Sequence, residues 1–184
     1  KTVTKVAEAL GLPHFLNSEL IDLFDHKEKL RLFLNDNEIS KVGFMTLADL
    51  SELNRWTIFP CVVKPSDSQG QRGVCLVEQK EDIRLVFFDD GRNQLNKIYA
   101  VKNAIEKSVT RTVIIEEYLQ GVEFSTNVIV QNHEVIVNEF TERFIHGKSY
   151  FGLPKGHGIP VRNIGQTEIA TAAKMVEKMI QKLN

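Results

Sequence analysis

Apolar residues follow two different periods along this chain, one in its N-terminal part and another further on. From residue 2 to residue 37 they recur at intervals of three and four positions, which is typical of amphipathic helices. From residue 59, short β-branched runs are bounded by proline, glycine and small polar residues, which favours strands. The pattern predicts helices over residues 2–10, from Asn17 or Ser18 onward, and over 27–37, 81–88, 93–107 and 168–183, with a short helical stretch over 47–53 after an extended piece from Ile39. It predicts strands over residues 59–65, 74–77, 112–116, 124–130 and 134–140.

The order of these elements indicates an α/β (α+β) fold. Residues 59–116 read as strand, loop, strand, two helices and strand, which is a compact mixed unit. The next two strands are joined by the short turn 131–133 and therefore open an antiparallel sheet. Residues 144–163 are glycine-rich and are predicted to be irregular.

Composition excludes several classes of protein. The 23 basic and 24 acidic side chains among 184 residues leave no basic excess of the kind that neutralises nucleic-acid phosphates. No apolar run approaches a membrane span and no signal-peptide pattern opens the chain, so we expect a cytoplasmic protein with neither a nucleic-acid nor a membrane partner. Cys61 and Cys75 are too few for a disulfide scaffold, and the histidines lack ligand spacing, so we predict no metal ligand in this chain.

The first candidate for chemistry is a lysine that ends a strand before a polar loop. Lys64 shares a strand face with Val62, while Cys61 and Val63 share the other face. A lysine in an apolar strand needs an anion or water for its ammonium group. Residues 66–73 are small, polar or glycine, so their amides can approach a phosphate closely. Taken alone, the loop fits a solvated hairpin equally well.

The second candidate is an acidic segment at the end of the third strand of the mixed unit. Glu116 and Glu117 follow a buried run, Tyr118 and Leu119 come next, and Glu123 lies seven positions after the first acid. Such carboxylates can accept hydrogen bonds from an exocyclic amine or a ribose hydroxyl. Taken alone, the segment fits a strand that ends in solvated acids better than it fits a binding site.

Together the two segments resemble the ATP-grasp family, especially its branch around the carbamoyl-phosphate synthase large subunit and the carboxylate–amine ligases. The matching motifs are Val63-Lys64-Pro65 with its glycine loop, Glu116-Glu117-Tyr118-Leu119, Gly121-Val122-Glu123, Asp25-His26-Lys27, Thr141-Glu142-Arg143 and Gly156-His157-Gly158-Ile159-Pro160. The resemblance implies an ATP-grasp fold with a small lid subdomain and an incomplete antiparallel-sheet subdomain. It also implies a division into a helical linker region (1–58), a lid (59–120) and the start of the larger subdomain (121–184).

The resemblance implies a role for individual residues. Lys64 is expected to hold the α- and β-phosphates of ATP, and Lys27 to contact a phosphate from the hinge side. Arg143 is expected to meet the γ-phosphate or an acyl-phosphate intermediate, and His157 to lie in the acceptor-substrate loop, although a lone loop histidine is more often incidental. The loop that closes over the γ-phosphate contributes Ser66, Ser68, Gly70, Arg72 and Gly73.

The adenosine side follows from the second motif. The resemblance implies that Glu116 takes the adenine amine and that the Glu117 and Leu119 backbones meet the ring edge. Tyr118 lies between them in the adenine pocket, and Glu123 is expected to take the ribose.

The activity that the resemblance implies is ATP-dependent activation of a carboxylate as an acyl phosphate, which an amine or related nucleophile then attacks. Small-molecule carboxylates and amines are thus the expected substrates, and ATP with Mg²⁺ the expected cofactors. The family's metal-binding strands have no match here, so we expect the Mg²⁺ ligands beyond Asn184 and a fragment that is inactive alone. An uncovered sheet edge would allow a homo-oligomer. A non-catalytic ATP-grasp-like module is the alternative, and a biotin-dependent carboxylase fits the fold equally well.

Overall fold

A computed structural model describes residues 1–47, 52, 55–68, 73–82, 110–146 and 151–183. Four helices and seven strands are defined within these ranges. The helices are α1 (Thr2–Ala9), α2 (Ser18–Asp25), α3 (Lys27–Asp36) and α4 (Gln166–Lys182). The strands are β1 (Phe44–Leu47), β2 (Cys61–Pro65), β3 (Cys75–Val77), β4 (Val113–Glu117), β5 (Phe124–Gln131), β6 (Glu134–Ile145) and β7 (Pro154–Gly158).

The first sheet has the strand order β1-β4-β2-β3, and every neighbouring pair is antiparallel. Side chains alternate between the two faces of a strand, so each strand sends every second residue into the core. The buried cluster on that face includes Val63 and Ile115, neither of which is exposed to solvent. Its members are Leu47, Trp56, Cys61, Val63, Cys75, Val77, Val113 and Ile115.

The opposite face of the first sheet carries the intervening residues. The register places Val62 opposite Glu116 and Lys64 opposite Ile114, so Lys64 and Glu116 are diagonal neighbours. The sequence-based prediction that Val62 and Lys64 share a face, apart from Cys61 and Val63, is confirmed.

The second sheet has the order β5-β6-β7 and is also antiparallel. Asn132 and His133 join β5 to β6 with φ angles of 51° and 64°. Positive φ at both central residues is the mark of a type I′ hairpin turn, which asparagine tolerates well. The predicted hairpin is confirmed, and α4 packs against β6.

The N-terminal helices lead into the first sheet. Asn17 caps α2 by accepting a hydrogen bond from the Leu20 amide at 2.8 Å, which confirms one of the two predicted starts. Helix α3 packs against α2, and the Lys27 amide donates to the Ser66 carbonyl at 3.0 Å. This bond fixes the start of α3 beside the end of β2.

Some boundaries differ from the predicted ones. Strand β6 continues to Ile145 rather than ending at residue 140, and β7 forms inside the segment predicted to be irregular. Leu47 belongs to a strand rather than to a helix, and β1 extends the first sheet back to Phe44. The predicted helices over 81–88 and 93–107 fall largely or wholly outside the described residues, as does most of 48–53.

Candidate functional site

A cleft of about 790 Å³ lies over the face of the first sheet that points away from the core cluster. Its floor includes Val62 and Lys64 of β2 and Glu116 of β4. The start of α3 contributes Lys27 and Arg31. The other wall consists of residues 117–124 and a short piece around Phe151.

A buried carboxylate holds two cations at the centre of this cleft. Glu116 is only 5% exposed, although it lies on a face that opens toward the cleft. Its Oε2 forms an ion pair with the ammonium group of Lys64, and its Oε1 accepts a hydrogen bond from Nε of Arg31 at 2.8 Å. A buried charge requires such partners, since isolation in a low dielectric is costly.

The electrostatics of Glu116 result from two opposed effects. Burial by itself raises the pKa of this carboxyl group, but the positive charges of Lys64 and Arg31 outweigh it and hold the pKa below its ordinary value. Glu116 is therefore ionised at neutral pH. It acts as the shared counter-ion of two cations that both line the cleft.

Lys27 ties α3 to the stem of the polar loop. Its ammonium group donates to the Ser66 carbonyl at 3.3 Å and also to the Ser68 carbonyl. Burial and the nearby charge of Lys64 lower the pKa of Lys27. Lys27 and Lys64 thus both line the cleft, close enough for their charges to interact.

The segment after β4 presents main-chain groups to the cleft. The Glu117 amide donates to the Gly43 carbonyl at 3.0 Å, and the Tyr118 amide donates to the Pro60 carbonyl at 3.1 Å. The Gly43 amide donates to Oε1 of the Glu117 side chain at 3.1 Å. These hydrogen bonds fix residues 117 and 118 against residues 43 and 60 at the edge of the cleft.

Glu123 and Arg143 form an ion pair across β5 and β6. Nη1 of Arg143 lies 2.6 Å from Oε1 of Glu123, and the Arg143 amide donates to the Glu123 carbonyl at 2.9 Å. Glu123 lines the cleft, whereas Arg143 lies behind it, and His157 is exposed directly opposite Arg143 on β7. In this arrangement Arg143 is linked to the cleft by its ion pair with Glu123.

Glu142 faces away from Arg143 and holds the loop after β7. It is 4% exposed, and its Oε2 accepts hydrogen bonds from the amides of Arg162 at 3.1 Å and Asn163 at 3.4 Å. The Asn163 side chain also donates to Glu142. Hydrogen bonds from Asn163 and from the Arg162 amide lower the pKa of Glu142.

Most of the residues predicted for the site meet in the cleft. Ser66 lies just below it, with no exposed surface, and Gly73 is buried with a φ of 75°, a conformation that favours glycine. Gly70 and Arg72 lie outside the described residues. The predicted residues that line the cleft are Lys27, Lys64, Ser68, Glu116, Glu117, Tyr118, Leu119 and Glu123.

The sequence analysis did not predict Arg31 or Phe151, which also line the cleft. Arg31 lies one helical turn after Lys27, and that spacing of four residues is the signal that points to it. Phe151 meets Tyr118 edge to face, with ring centroids 5.8 Å apart. Nothing in the local sequence pattern identifies this second contact.

The described residues do not form a metal site. Within those ranges, no group of three or more histidine, cysteine, aspartate or glutamate side chains is arranged to hold a metal ion. They therefore do not supply a ligand set for Mg²⁺.

Among the helices of the described ranges, none combines the length and apolar character needed to cross a membrane.

Known proteins share this fold. The D-Ala:D-Ser ligase VanG of Enterococcus faecalis has a TM-score of 0.77 at 18% identity, over 99% of this chain and 52% of that chain. The biotin carboxylase domain of Hydrogenobacter thermophilus 2-oxoglutarate carboxylase, solved with MgADP, ADP and bicarbonate, has a TM-score of 0.75 at 16% identity, over 98% of this chain and 39% of that chain.

Sequence comparison agrees with the fold. The carbamoyl phosphate synthase large chain of Caldanaerobacter subterraneus subsp. tengcongensis is 25% identical over 171 residues, which are 89% of this chain and 14% of that protein. The corresponding protein of Thermomicrobium roseum is 26% identical over 133 residues, or 70% of this chain and 11% of that protein. The chain thus spans a small part of the length of these relatives. A family model described as the ATP-grasp domain matches residues 57–184, and the chain belongs to the ATP-grasp family.

Proposed function

We propose that this chain forms the ATP-binding part of an ATP-dependent ligase that activates a carboxylate as an acyl phosphate for attack by an amine or related nucleophile. The observation that carries the proposal is the composition of the cleft. Lys27 and Lys64 meet at one end, and the acidic segment with its main-chain groups lines the other. Cations suit the phosphates of a nucleotide, and mixed donors and acceptors suit a base and a ribose.

The cleft suggests how ATP would lie. Lys27 and Lys64 would bind the phosphates, while the Glu117 carbonyl and the Leu119 amide would accept from the adenine amine and donate to a ring nitrogen. Glu116 has both oxygens engaged by cations, so an adenine amine would share it with them rather than occupy it alone. Glu123 would take a ribose hydroxyl while it remains paired with Arg143.

The proposed reaction has two steps. A carboxylate oxygen attacks the γ-phosphorus of ATP and ADP leaves, which forms an acyl phosphate; the nucleophile then attacks the acyl carbon and phosphate leaves. The chain's own contribution would be to position the phosphates, to stabilise their negative charge and to exclude water from the cleft. Magnesium normally accompanies such transfers. The described residues contain no group of three or more side chains arranged to hold it.

Calorimetric titration with a non-hydrolysable ATP analogue tests the binding half of the proposal. Lys64→Met and Glu123→Gln should each weaken binding about tenfold or more. Lys41→Met is the control and should leave the affinity unchanged, because the Lys41 side chain is 72% exposed and lies outside the cleft. ATP should bind more tightly than GTP, because GTP carries a carbonyl where adenine has its amine. A folded chain that binds neither nucleotide would contradict the proposal.

Turnover tests the chemical half of the proposal. An acyl phosphate is trapped by hydroxylamine as a hydroxamate, so candidate carboxylates can be screened for ATP-dependent hydroxamate formation. Tight ATP binding without any turnover across bicarbonate, amino acids and simple carboxylates would favour the alternative, a non-catalytic nucleotide-binding module.

A further inference from the structure

The cleft contains a third cation, Arg31, whose hydrogen-bonding capacity is only partly used. Its Nε donates to Oε1 of Glu116 at 2.8 Å, and its side chain is 18% exposed. This bond fixes the plane of the guanidinium group relative to β4. Arg31 also lines the cleft.

The two terminal nitrogens of Arg31 have donors to spare. A guanidinium group carries five N–H bonds, and the bond to Glu116 uses one of them. Within the described part of the chain, no other group accepts a hydrogen bond from this side chain. These donors are accessible from the cleft, and an anionic ligand there could accept hydrogen bonds from them.

Two cations of the cleft depend on one carboxylate. Arg31 and Lys64 share the single negative charge of Glu116. Lys27 differs from them, because it lies near the negative charges of Asp67 and Glu28. An anion would therefore be favoured between Arg31 and Lys64, where one carboxylate serves two cations.

We propose that Arg31 is a phosphate ligand, with its terminal nitrogens on one phosphate of the bound nucleotide and its Nε on Glu116. A planar guanidinium fork matches two oxygens of a phosphate, whereas the ammonium of Lys64 acts as a point charge. Glu116 then has a second purpose, since it aligns Arg31 and Lys64 toward the same polyanion. This inference rests on the proposed function and adds to it a residue that binds phosphate.

Separate probes for the two halves of ATP test the inference. Inorganic tripolyphosphate and adenosine are titrated into the wild type, Arg31→Gln and the control Arg55→Gln, whose side chain is 70% exposed and paired with Glu52. Arg31→Gln should weaken tripolyphosphate binding about tenfold or more and leave adenosine binding within about twofold. Arg55→Gln should match the wild type for both probes.

A second comparison keeps the test informative if Arg31→Gln does not fold. Arg31→Met combined with Glu116→Gln removes the cation and the buried charge together, so it should remain folded where Arg31→Gln does not. Its affinity for tripolyphosphate should be about tenfold weaker than that of Glu116→Gln alone. Equal affinities in this comparison would overturn the inference.

The remaining outcomes separate the two proposals. If Arg31→Gln weakens adenosine as much as tripolyphosphate, Arg31 acts only by placing Glu116, and the inference is overturned while ATP binding stands. The same holds if Arg31→Gln leaves both affinities unchanged. If the wild type binds neither probe, the proposed function fails, and the role of Arg31 fails with it.

Discussion

The ion pair between Lys64 and Glu116 gives a quantitative test of the site before any ligand is added. Lys64→Met leaves Oε2 of a carboxylate that is 5% exposed without its cation, while Arg31 still holds Oε1. Loss of a hydrogen bond to a buried charged group costs about 1.5–3 kcal/mol of unfolding free energy. With Glu116→Gln already present there is no charge left to isolate, so Lys64→Met should then cost far less. We expect a coupling free energy of about 1–3 kcal/mol between the two substitutions.

Urea denaturation measures this coupling. The single tryptophan, Trp56, is 5% exposed in the core cluster and reports unfolding by its fluorescence. The pair Lys41 and Glu38, 3.2 Å apart and about 70% exposed on both sides, is the matched surface control. Its cycle should give about 0.5 kcal/mol or less. A Lys64–Glu116 coupling no larger than this control would refute the buried ion pair.

The same cycle has a defined dependence on pH. The pKa of Glu116 is held below its ordinary value of 4.5 in the folded chain, so its contribution to stability is complete above that value and is lost as the pH falls through the folded pKa. Once Glu116 is protonated, it carries no charge for the ammonium group of Lys64 to neutralise. The stability difference between the wild type and Lys64→Met should therefore shrink as the pH falls below about 4.5. A difference that stays constant down to pH 3 would contradict this assignment.

Three further predictions concern the core, a thiol and the second sheet. Ile115→Ala removes a fully buried side chain from a central strand and should cost about 2–5 kcal/mol in urea denaturation; a loss below about 1 kcal/mol would contradict the packing described. Burial raises the pKa of the Cys61 thiol to about 11, so Ellman's reagent at pH 8 should modify it only as fast as the chain opens, and complete labelling within seconds would argue against its burial. Glu142→Gln should lower the urea midpoint at pH 7 by an amount that diminishes below about pH 4.5, because the lowered pKa of Glu142 contributes stability only while the group is ionised; an unchanged midpoint at pH 7 would exclude the loop contact.

The sequence pattern predicts the local structure well where one face of an element is buried. Alternation along β2 separates Val62 and Lys64 from Cys61 and Val63, because one side chain in two enters the core cluster. The cap at Asn17 and the turn before Glu134 follow from side-chain and backbone preferences that act over a few residues. The phosphate contact expected of Lys27 stays a prediction, although the structure places this residue beside the loop after β2.

Other features depend on contacts that are distant in sequence. Arg31 and Glu116 are 85 positions apart, and they meet only when the tertiary fold is formed. Strand β7 contains two glycines and no alternating apolar residues, so its extended form depends on hydrogen bonds to β6 rather than on its own preference. The pairing of Arg143 with Glu123 likewise arises only when β5 and β6 meet, and the phosphate-binding role expected of Arg143 stays a prediction.

Neighbouring residues of β2 and β4 point to opposite faces of the sheet and are constrained by different physical effects. Positions such as Val63 and Ile115 are limited by the volume that the core can accept, whereas Lys64 and Glu116, one step along the same strands, are limited by charge. A saturation mutagenesis map of these strands should therefore show sensitivity to charge at Lys64 and Glu116 and sensitivity to side-chain size at Val63 and Ile115. It follows that the ligand preference of the cleft can change by selection at every second residue while the packed face stays as it is.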